Sequence, residues 1–413
     1  MTKILFKNLF GNIGFYILLL LLGLISGGVA GAEFFKIMSK TNSSSNTNIK
    51  DNYNSTDSSK FCKTGYINEE ISNIRQNAIV KATNMVSPCV VGIVVTQLEI
   101  VRSSYYSDDF FDFFFSPELV PRIREVERMG SGFIFCKEGY ILTNYHVVEH
   151  AQKLYVTLYN GTQYEGKIIG ADPQTDLAVV GIKAKDLPCA KLGNSSELMI
   201  GEWAIAIGNP FGFFINDSKP TVTVGVISAL GRNFAPTQGV YYQGMIQTDA
   251  SINQGNSGGP LVNALGEVIG INTFIFTGSE NYRGSIGIGF AIPIDRAKRV
   301  AKELIQYGKR RPIYTGISVQ DLNRSIALAL GYEQLKGVVV TDVAQNSPGQ
   351  KAGLLRGDII IRMGNTDINS SADISGVFLD FFVGDTLFVS YIRKGQIQKT
   401  NVVLLEYKNN KRY

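Results

Sequence analysis

From about residue 90 onward the chain is written in short apolar runs, broken by Gly, Asn, Asp and Pro, with the length of strands rather than helices. The runs at 90–96, 132–135, 140–144, 154–158, 177–182, 203–207, 221–227 and 289–292 follow one another closely. Such spacing predicts an antiparallel barrel or sandwich. Two segments keep a helical period instead. Ile71, Ile74, Ala78, Ala82 and Met85 predict a short amphipathic helix, and Ala297, Val300, Ala301, Leu304 and Ile305 place one apolar side on a helix over 295–307. Gly308 suits the C-terminal cap of the second helix, and Pro312 cannot continue it. A first globular unit is therefore expected over 71–308. Beyond it, β-runs at 337–343, 358–362, 386–393 and 400–405 alternate with helical patches and predict a small α+β module over 312–407.

The N-terminal pattern differs. Residues 13–32 carry no charge, and only Tyr16 and Ser26 are polar. A helix of about 20 residues spans the hydrocarbon core of a bilayer. Lys3 and Lys7 precede the run, which places the N-terminus in the cytoplasm and the rest of the chain outside. Ala30-Gly31-Ala32 offers the rival reading of a cleaved signal peptide, although a cleavable apolar region is usually shorter, about 7–15 residues. Residues 1–38 are thus expected to anchor the chain in a membrane. In the following 39–70, the stretch from Ser39 to Ser59 is Ser, Thr or Asn at 15 of 21 positions, a composition that cannot bury enough surface to order itself. A flexible tether is expected there. Between Ile100 and Glu127 lies an insertion in which Tyr105, Tyr106, Phe110, Phe111, Phe114 and Phe115 surround Asp108 and Asp109. It reads as a loop that docks on another surface or folds against its own barrel.

Length and charge narrow the classes. The 413 residues, 45% hydrophobic, are enough for two domains, and a mild net charge of +5 gives no case for a nucleic-acid partner. Cys62, Cys89, Cys136 and Cys189 form no C-x-x-C pair and are too sparse for a disulfide-built scaffold. Histidine is the informative scarcity: with only His146 and His150, any imidazole chemistry runs through one short segment.

Gly255-Asn256-Ser257-Gly258-Gly259-Pro260 is the sharpest motif. A nucleophilic serine needs backbone N–H groups aimed at the oxyanion that develops, and glycine lets the chain turn tightly enough to present them. The turn Gly255-Asn256-Ser257 is expected to form that oxyanion hole, with the N–H groups of Gly255 and Ser257 as donors. His146, at the end of an apolar strand, would serve as the base. Asp172 and Asp176 compete as the acid that fixes its tautomer. Asp172 precedes Pro173 and reads as a turn former, whereas Asp176 abuts the apolar run at 177–180 and can sit half-buried against an imidazole. Asp176 is the choice, and the order His, Asp, Ser is that of chymotrypsin. A competing motif overlaps it: His146-Val147-Val148-Glu149-His150 is a formal H-x-x-E-H zinc signature, but it leaves 255–260 without a purpose.

Taken together, these segments make the chain resemble the HtrA/Deg family of trypsin-like serine proteases with one C-terminal PDZ domain. The resemblance spans about residues 73–407. It rests on Gly130-Ser131-Gly132-Phe133, Ile141-Leu142-Thr143-Asn144-Tyr145-His146, Thr175-Asp176-Leu177-Ala178, Ile207-Gly208-Asn209-Pro210-Phe211-Gly212, the run from Thr248 through Pro260, and Gly287-Ile288-Gly289-Phe290-Ala291-Ile292-Pro293. It implies a mainly β fold: two packed six-stranded barrels with the triad between them, then the PDZ domain. It also implies action on unfolded or damaged polypeptides, a membrane-tethered bacterial homotrimer, and no cofactor or metal. In the PDZ-like part, Tyr314-Thr315-Gly316-Ile317 matches the loop whose N–H groups capture a peptide C-terminus, and Thr315 departs from the usual apolar residue. The place of the zymogen-pairing Asp is taken by Asn256, so activation is expected to come from loop ordering biased by peptide on the PDZ domain. Ser251 stands six before the nucleophile, where trypsin carries Asp. With Ile252, Gly287 and Ile288 it is expected to line a small apolar S1 pocket selecting Val or Ala. The different-class alternative is a PDZ-bearing chaperone or scaffold whose protease fold is idle.

Overall fold

The structure, a computed structural model, describes residues 75–101, 122–210, 219–234, 239–253, 255–273, 285–332 and 334–407. The apolar segment 13–32, the tether 39–70, Cys62 and the aromatic positions 105–115 lie outside the described residues, as do Phe211 and Gly212. Among the described residues no helix is long and apolar enough to cross a membrane.

Helix α1 (Ala78–Val86) starts where the Asn77 side chain accepts a hydrogen bond from Val80 N at 2.9 Å, an N-cap that answers one of the first turn's unpaired donors. Six strands follow: β1 (Val90–Val101), β2 (Arg122–Ile134), β3 (Tyr140–Thr143), β4 (Lys153–Thr157), β5 (Gln163–Asp172) and β6 (Leu177–Ile182), with the one-turn helix α2 (Tyr145–Val148) after β3. They close into a barrel in the order β1-β2-β3-β6-β5-β4. Val91, Ile93, Val95, Ile141, Ala178 and Val180 point into it. Alternate residues Val90, Leu142, Leu177 and Val179 point out, into a second apolar layer. Burial on both faces explains why β6 is an unbroken apolar run.

The two-residue β7 (Lys191–Leu192) leads to β8 (Trp203–Gly208), β9 (Thr221–Arg232), β10 (Met245–Thr248), β11 (Pro260–Val262), β12 (Glu267–Thr273) and β13 (Gly289–Pro293). These last six run β11-β8-β9-β10-β13-β12, and pairing of β11 with β12 closes the second barrel. Its interior holds Ala204, Ile227, Ile246, Leu261 and Ile269. The layer shared with the first barrel is completed by α1 and by α3 (Ile294–Tyr307), which ends at Gly308 in the left-handed conformation, φ 72°. A Cβ on Gly170 of β5 would stand only 2.7 Å from Gly308 O, so glycine lets the end of α3 close on the first barrel.

The C-terminal module begins with β14 (Ile313–Tyr314), β15 (Ile317–Asp321), α4 (Arg324–Ala329), β16 (Val338–Val343) and α5 (Pro348–Lys351). It continues with β17 (Ile359–Met363), β18 (Thr366–Asp367), α6 (Ser371–Phe378), β19 (Thr386–Arg393), β20 (Gln396–Val403) and β21 (Leu405–Glu406). Its main sheet runs β15-β16-β17-β19-β20, leaving β15 on an edge. Arg296 and Arg299 of α3 reach across to Asp380 and Asp385 of this module, and Arg310 donates to the carbonyls of Phe378 and Phe381.

Two expectations need correcting. The insertion read between Ile100 and Glu127 is in part a strand pair, because β1 runs to Val101 and β2 begins at Arg122 in unbroken register from Val90↔Phe133 to Val101↔Arg122. The polar stretch at 122–128 carries no apolar alternation to announce a strand. The apolar runs also leave out strands β5, β7, β10, β11 and β12, and β14, β15 and β18 of the C-terminal module.

Candidate active site

Residues 144–146 and the turn at 172–176 clasp each other from both sides. Asp172 forms the turn as its sequence implied: its carboxylate accepts hydrogen bonds from Gln174 N at 3.3 Å and Thr175 Oγ1 at 2.7 Å. The turn ends at Asp176 with φ 55°, a left-handed conformation uncommon outside glycine, asparagine and aspartate. Two donors hold the Asp176 carbonyl there, Asn144 Nδ2 at 3.0 Å and Tyr145 N at 3.1 Å. In return the Asp176 carboxylate, 1% exposed, accepts from His146 N at 3.0 Å and meets His146 Nδ1 at 2.8 Å. A proton on Nδ1 leaves Nε2 as the basic nitrogen. Thr273 Oγ1 donates to Asp176 Oδ2 at 3.2 Å.

Burial works against charge on the His146 ring, but the Asp176 carboxylate outweighs it through charge and hydrogen bond, with Glu149 adding. The imidazole pKa is therefore raised above its ordinary 6.5.

The serine turn docks on the same elements. Gly258, with φ 84°, has no room for a side chain, because a Cβ would collide with Ser131 O and Thr143 Oγ1. Ser131 acts as the buckle: its N–H donates to Ser257 O at 2.9 Å, its hydroxyl to Gly255 O at 2.5 Å, and it accepts from Asn209 N at 2.7 Å. From below, Gly258 N donates to Asn272 O at 2.9 Å. Ser257 thus sits on a turn packed directly against the residues that lead to His146. Of the expected oxyanion turn, Asn256 N donates to Asn253 O at 3.0 Å, so that N–H is engaged within the turn. Ile252 is buried against Gly289, Ser251 is half-buried with its carbonyl accepting from Thr223 Oγ1, and Ile288 is exposed beside Gly287.

The formal H-x-x-E-H is not assembled. Helix α2 ends at Val148, His150 turns left-handed with φ 54°, and its side chain is 80% exposed. His146 Nδ1, meanwhile, is tied to Asp176. In the C-terminal module, Gly316 (φ 68°) packs on Ser347, and Thr315 Oγ1 accepts from Ile317 N at 3.3 Å. Gly349 N donates to Thr315 O at 2.8 Å, bracing the Tyr314–Ile317 loop at the start of edge strand β15. Cys89 is buried and its thiol is pushed up to about 12, mainly by that burial.

Comparison with known proteins agrees with this anatomy. Residues 130–271 match the trypsin-like peptidase domain family and residues 314–404 the PDZ domain family. A variant of the HtrA-type protease AlgW, solved with a decapeptide, is 35% identical with a TM-score of 0.63, and the match covers 81% of this chain and 99% of that one. The chain belongs to the HtrA-type serine proteases. Two curated HtrA relatives, each described as a probable periplasmic serine endoprotease DegP-like, extend the likeness. That of Chlamydia trachomatis serovar D is 44% identical over 71% of this chain and 58% of its own length. That of Pseudomonas savastanoi pv. phaseolicola is 43% identical over 68% and 57%. This chain therefore spans less than two thirds of these curated relatives. Thr273, Ser131, Asn144 and Tyr242, whose hydroxyl stands 3.5 Å from Asp176 Oδ2, are site residues that sequence reasoning gave no role. Ser131 and Asn144 lie inside the motifs already noted for the family, and that was the one signal available for them.

Proposed function

We propose that the chain is an extracytoplasmic serine endopeptidase that cleaves unfolded or damaged polypeptides through His146, Asp176 and Ser257. The single observation that carries the reading is the clasp of Asp176 on His146 with the Ser257 turn locked onto the same strand end. His146 Nε2 takes the proton from Ser257 Oγ as the hydroxyl attacks the scissile carbonyl, and delivers it to the departing amine. Asp176 holds the ring in the required tautomer and stabilises its charge. The N–H groups of Gly255 and Ser257 receive the oxyanion, each such donor supplying about 3 kcal/mol. Water, activated by the same imidazole, then releases the acyl group.

Around that reaction, Ser251, Ile252, Gly287 and Ile288 select a small apolar P1 residue. The loop Tyr314-Thr315-Gly316-Ile317 receives the C-terminus of a peptide that adds to β15, and peptide there raises activity. The periplasmic descriptions of these relatives support an exported location. Residues 13–32 are proposed as the anchor, and the working assembly as a homotrimer.

The test is cleavage of unfolded casein by the full chain and by Ser257→Ala, each with and without EDTA. Loss of about 10⁴-fold or more in kcat for the variant, with activity insensitive to chelator, is expected. Cleavage that survives Ser257→Ala but not EDTA would revive the H-x-x-E-H motif. A wild type that binds casein and never cleaves it, with or without peptide, would point to the idle scaffold.

A further inference from the structure

Tyr242 has no place in acyl transfer as derived above, yet its hydroxyl is directed at the triad's acid, 3.5 Å from Asp176 Oδ2. It meets there the oxygen that already faces His146 Nδ1 at 2.8 Å and Thr273 Oγ1 at 3.2 Å. The residues on either side of Tyr242 fix it from opposite directions. Tyr241 N donates to Gln174 O at 3.0 Å, within the turn that ends at Asp176. Gln243 faces the C-terminal module: its carbonyl accepts from Arg296 Nη1 at 2.6 Å, and its side chain stands where a Cβ on Gly376 of α6 would be 3.1 Å from Cγ. Arg296 is 4% exposed and forks onto the Asp380 carboxylate at 2.6 and 2.9 Å. A three-residue segment thus touches the catalytic turn at one end and the PDZ domain at the other.

We propose that Tyr242 is a positioning residue for Asp176, and that the docked PDZ domain, through Gln243 and the Arg296–Asp380 fork, holds its hydroxyl on the carboxylate. This deepens, and rests on, the reading of a His146–Asp176–Ser257 triad regulated by the PDZ domain. The physical argument concerns how one buried carboxylate shares its charge. A hydroxyl donating to Oδ2 fixes the carboxylate's orientation and draws part of its charge away from the imidazole. Without that donor Asp176 attracts the imidazolium more strongly, so His146 keeps its proton to higher pH and is a poorer base near neutrality. The other ionisable groups acting on His146 are Asp176 and Glu149, with Tyr145 near both carboxylates and His150 beside Glu149. All of these stay in place when only Tyr242 changes.

The experiment uses the full chain and reads acylation of Ser257 by a fluorophosphonate from about pH 5 to 9, which needs the base but no turnover. Wild type, Tyr242→Phe, Asp380→Asn and the double variant are compared, with Ser257→Ala as the blank and thermal melts confirming equal folding. Tyr242→Phe is expected to move the acid limb to higher pH and to slow acylation near pH 6 by about three- to tenfold, the weight of one hydrogen bond. Asp380→Asn is expected to move it in the same direction, and the double variant no further than Tyr242→Phe alone. An unmoved limb in Tyr242→Phe overturns the positioning role. A limb moved by Tyr242→Phe but not by Asp380→Asn overturns the coupling to the PDZ domain. Acylation that responds to a C-terminal peptide while the limb stays fixed leaves PDZ regulation standing without this route. Acylation indifferent to both the peptide and Asp380→Asn overturns the regulatory reading itself.

Discussion

In the proposed triad, His146 and Asp176 would serve stability and catalysis on opposite sides of one titration. The imidazole pKa is raised in the folded chain, despite the burial that opposes it, by the Asp176 carboxylate and by Glu149. As a base His146 must be neutral, so kcat/KM should fall as pH drops through this raised value, with its acid midpoint above 6.5. The linkage to folding runs the other way. A group bound more tightly as the cation in the folded state lends stability that is fully present below its unfolded pKa and is lost as pH rises through the folded value. The His146–Asp176 contribution therefore weakens across the same interval in which activity appears. Measuring kcat/KM on a peptide substrate alongside urea denaturation of wild type and Asp176→Asn across this range checks both signs. An acid midpoint at or below 6.5 would contradict the pairing, as would an Asp176→Asn stability difference that grows with pH through that interval.

At the scale of elements, the close approach of α3 to β5 makes a prediction that strand propensity alone would reverse. Valine suits a strand better than glycine does, yet at Gly170 a Cβ would lie 2.7 Å from Gly308 O and 2.8 Å from Leu304 O, backbone atoms at the end of α3. Gly170→Val is expected to cost about 1–3 kcal/mol, read as a lower urea midpoint, whereas an unchanged midpoint would show that the helix end yields freely. The same elements show what could be read beforehand. Strand β6 was legible because both its faces are buried, and α3 because its apolar stripe ends at a glycine that caps it. Strand β5 was not, since only Gly170 and Asp172 of its ten residues are buried, and β12 hid behind Gly270 and a fully buried Asn272, whose side chain bonds to Pro260 O. For the site, residue types and their local neighbours pointed to His146, Asp176 and Ser257. Thr273 and Tyr242 lie 97 and 66 positions from Asp176, and barrel packing alone brings them to it.

Over the whole molecule, polar and apolar surfaces divide the work of association. The contact between α3 and the PDZ domain is charged: Arg296 with Asp380, and Arg299 with Asp385 at 2.6 Å, its guanidinium 4.2 Å from the Phe382 ring centroid. Contacts of this kind between domains suit reversible docking better than permanent burial. The turn into β8 is of the opposite character. Met199 is 65% exposed, Ile200 68% and Trp203 49%, all within five residues of chain. Grouped large apolar side chains on a surface mark an interaction site, and an indole contributes more buried area than most residues can. The homotrimer proposed above can be tested at this turn. A charge placed in the middle of such a contact would be desolvated without a partner, so Trp203→Arg should dissociate the assembly while leaving each barrel folded. Light scattering on the detergent-solubilised full chain is expected to give three 45.3 kDa chains for wild type and one for the variant. A variant that stays trimeric would place the contact elsewhere, and a monomeric wild type would remove the trimer altogether.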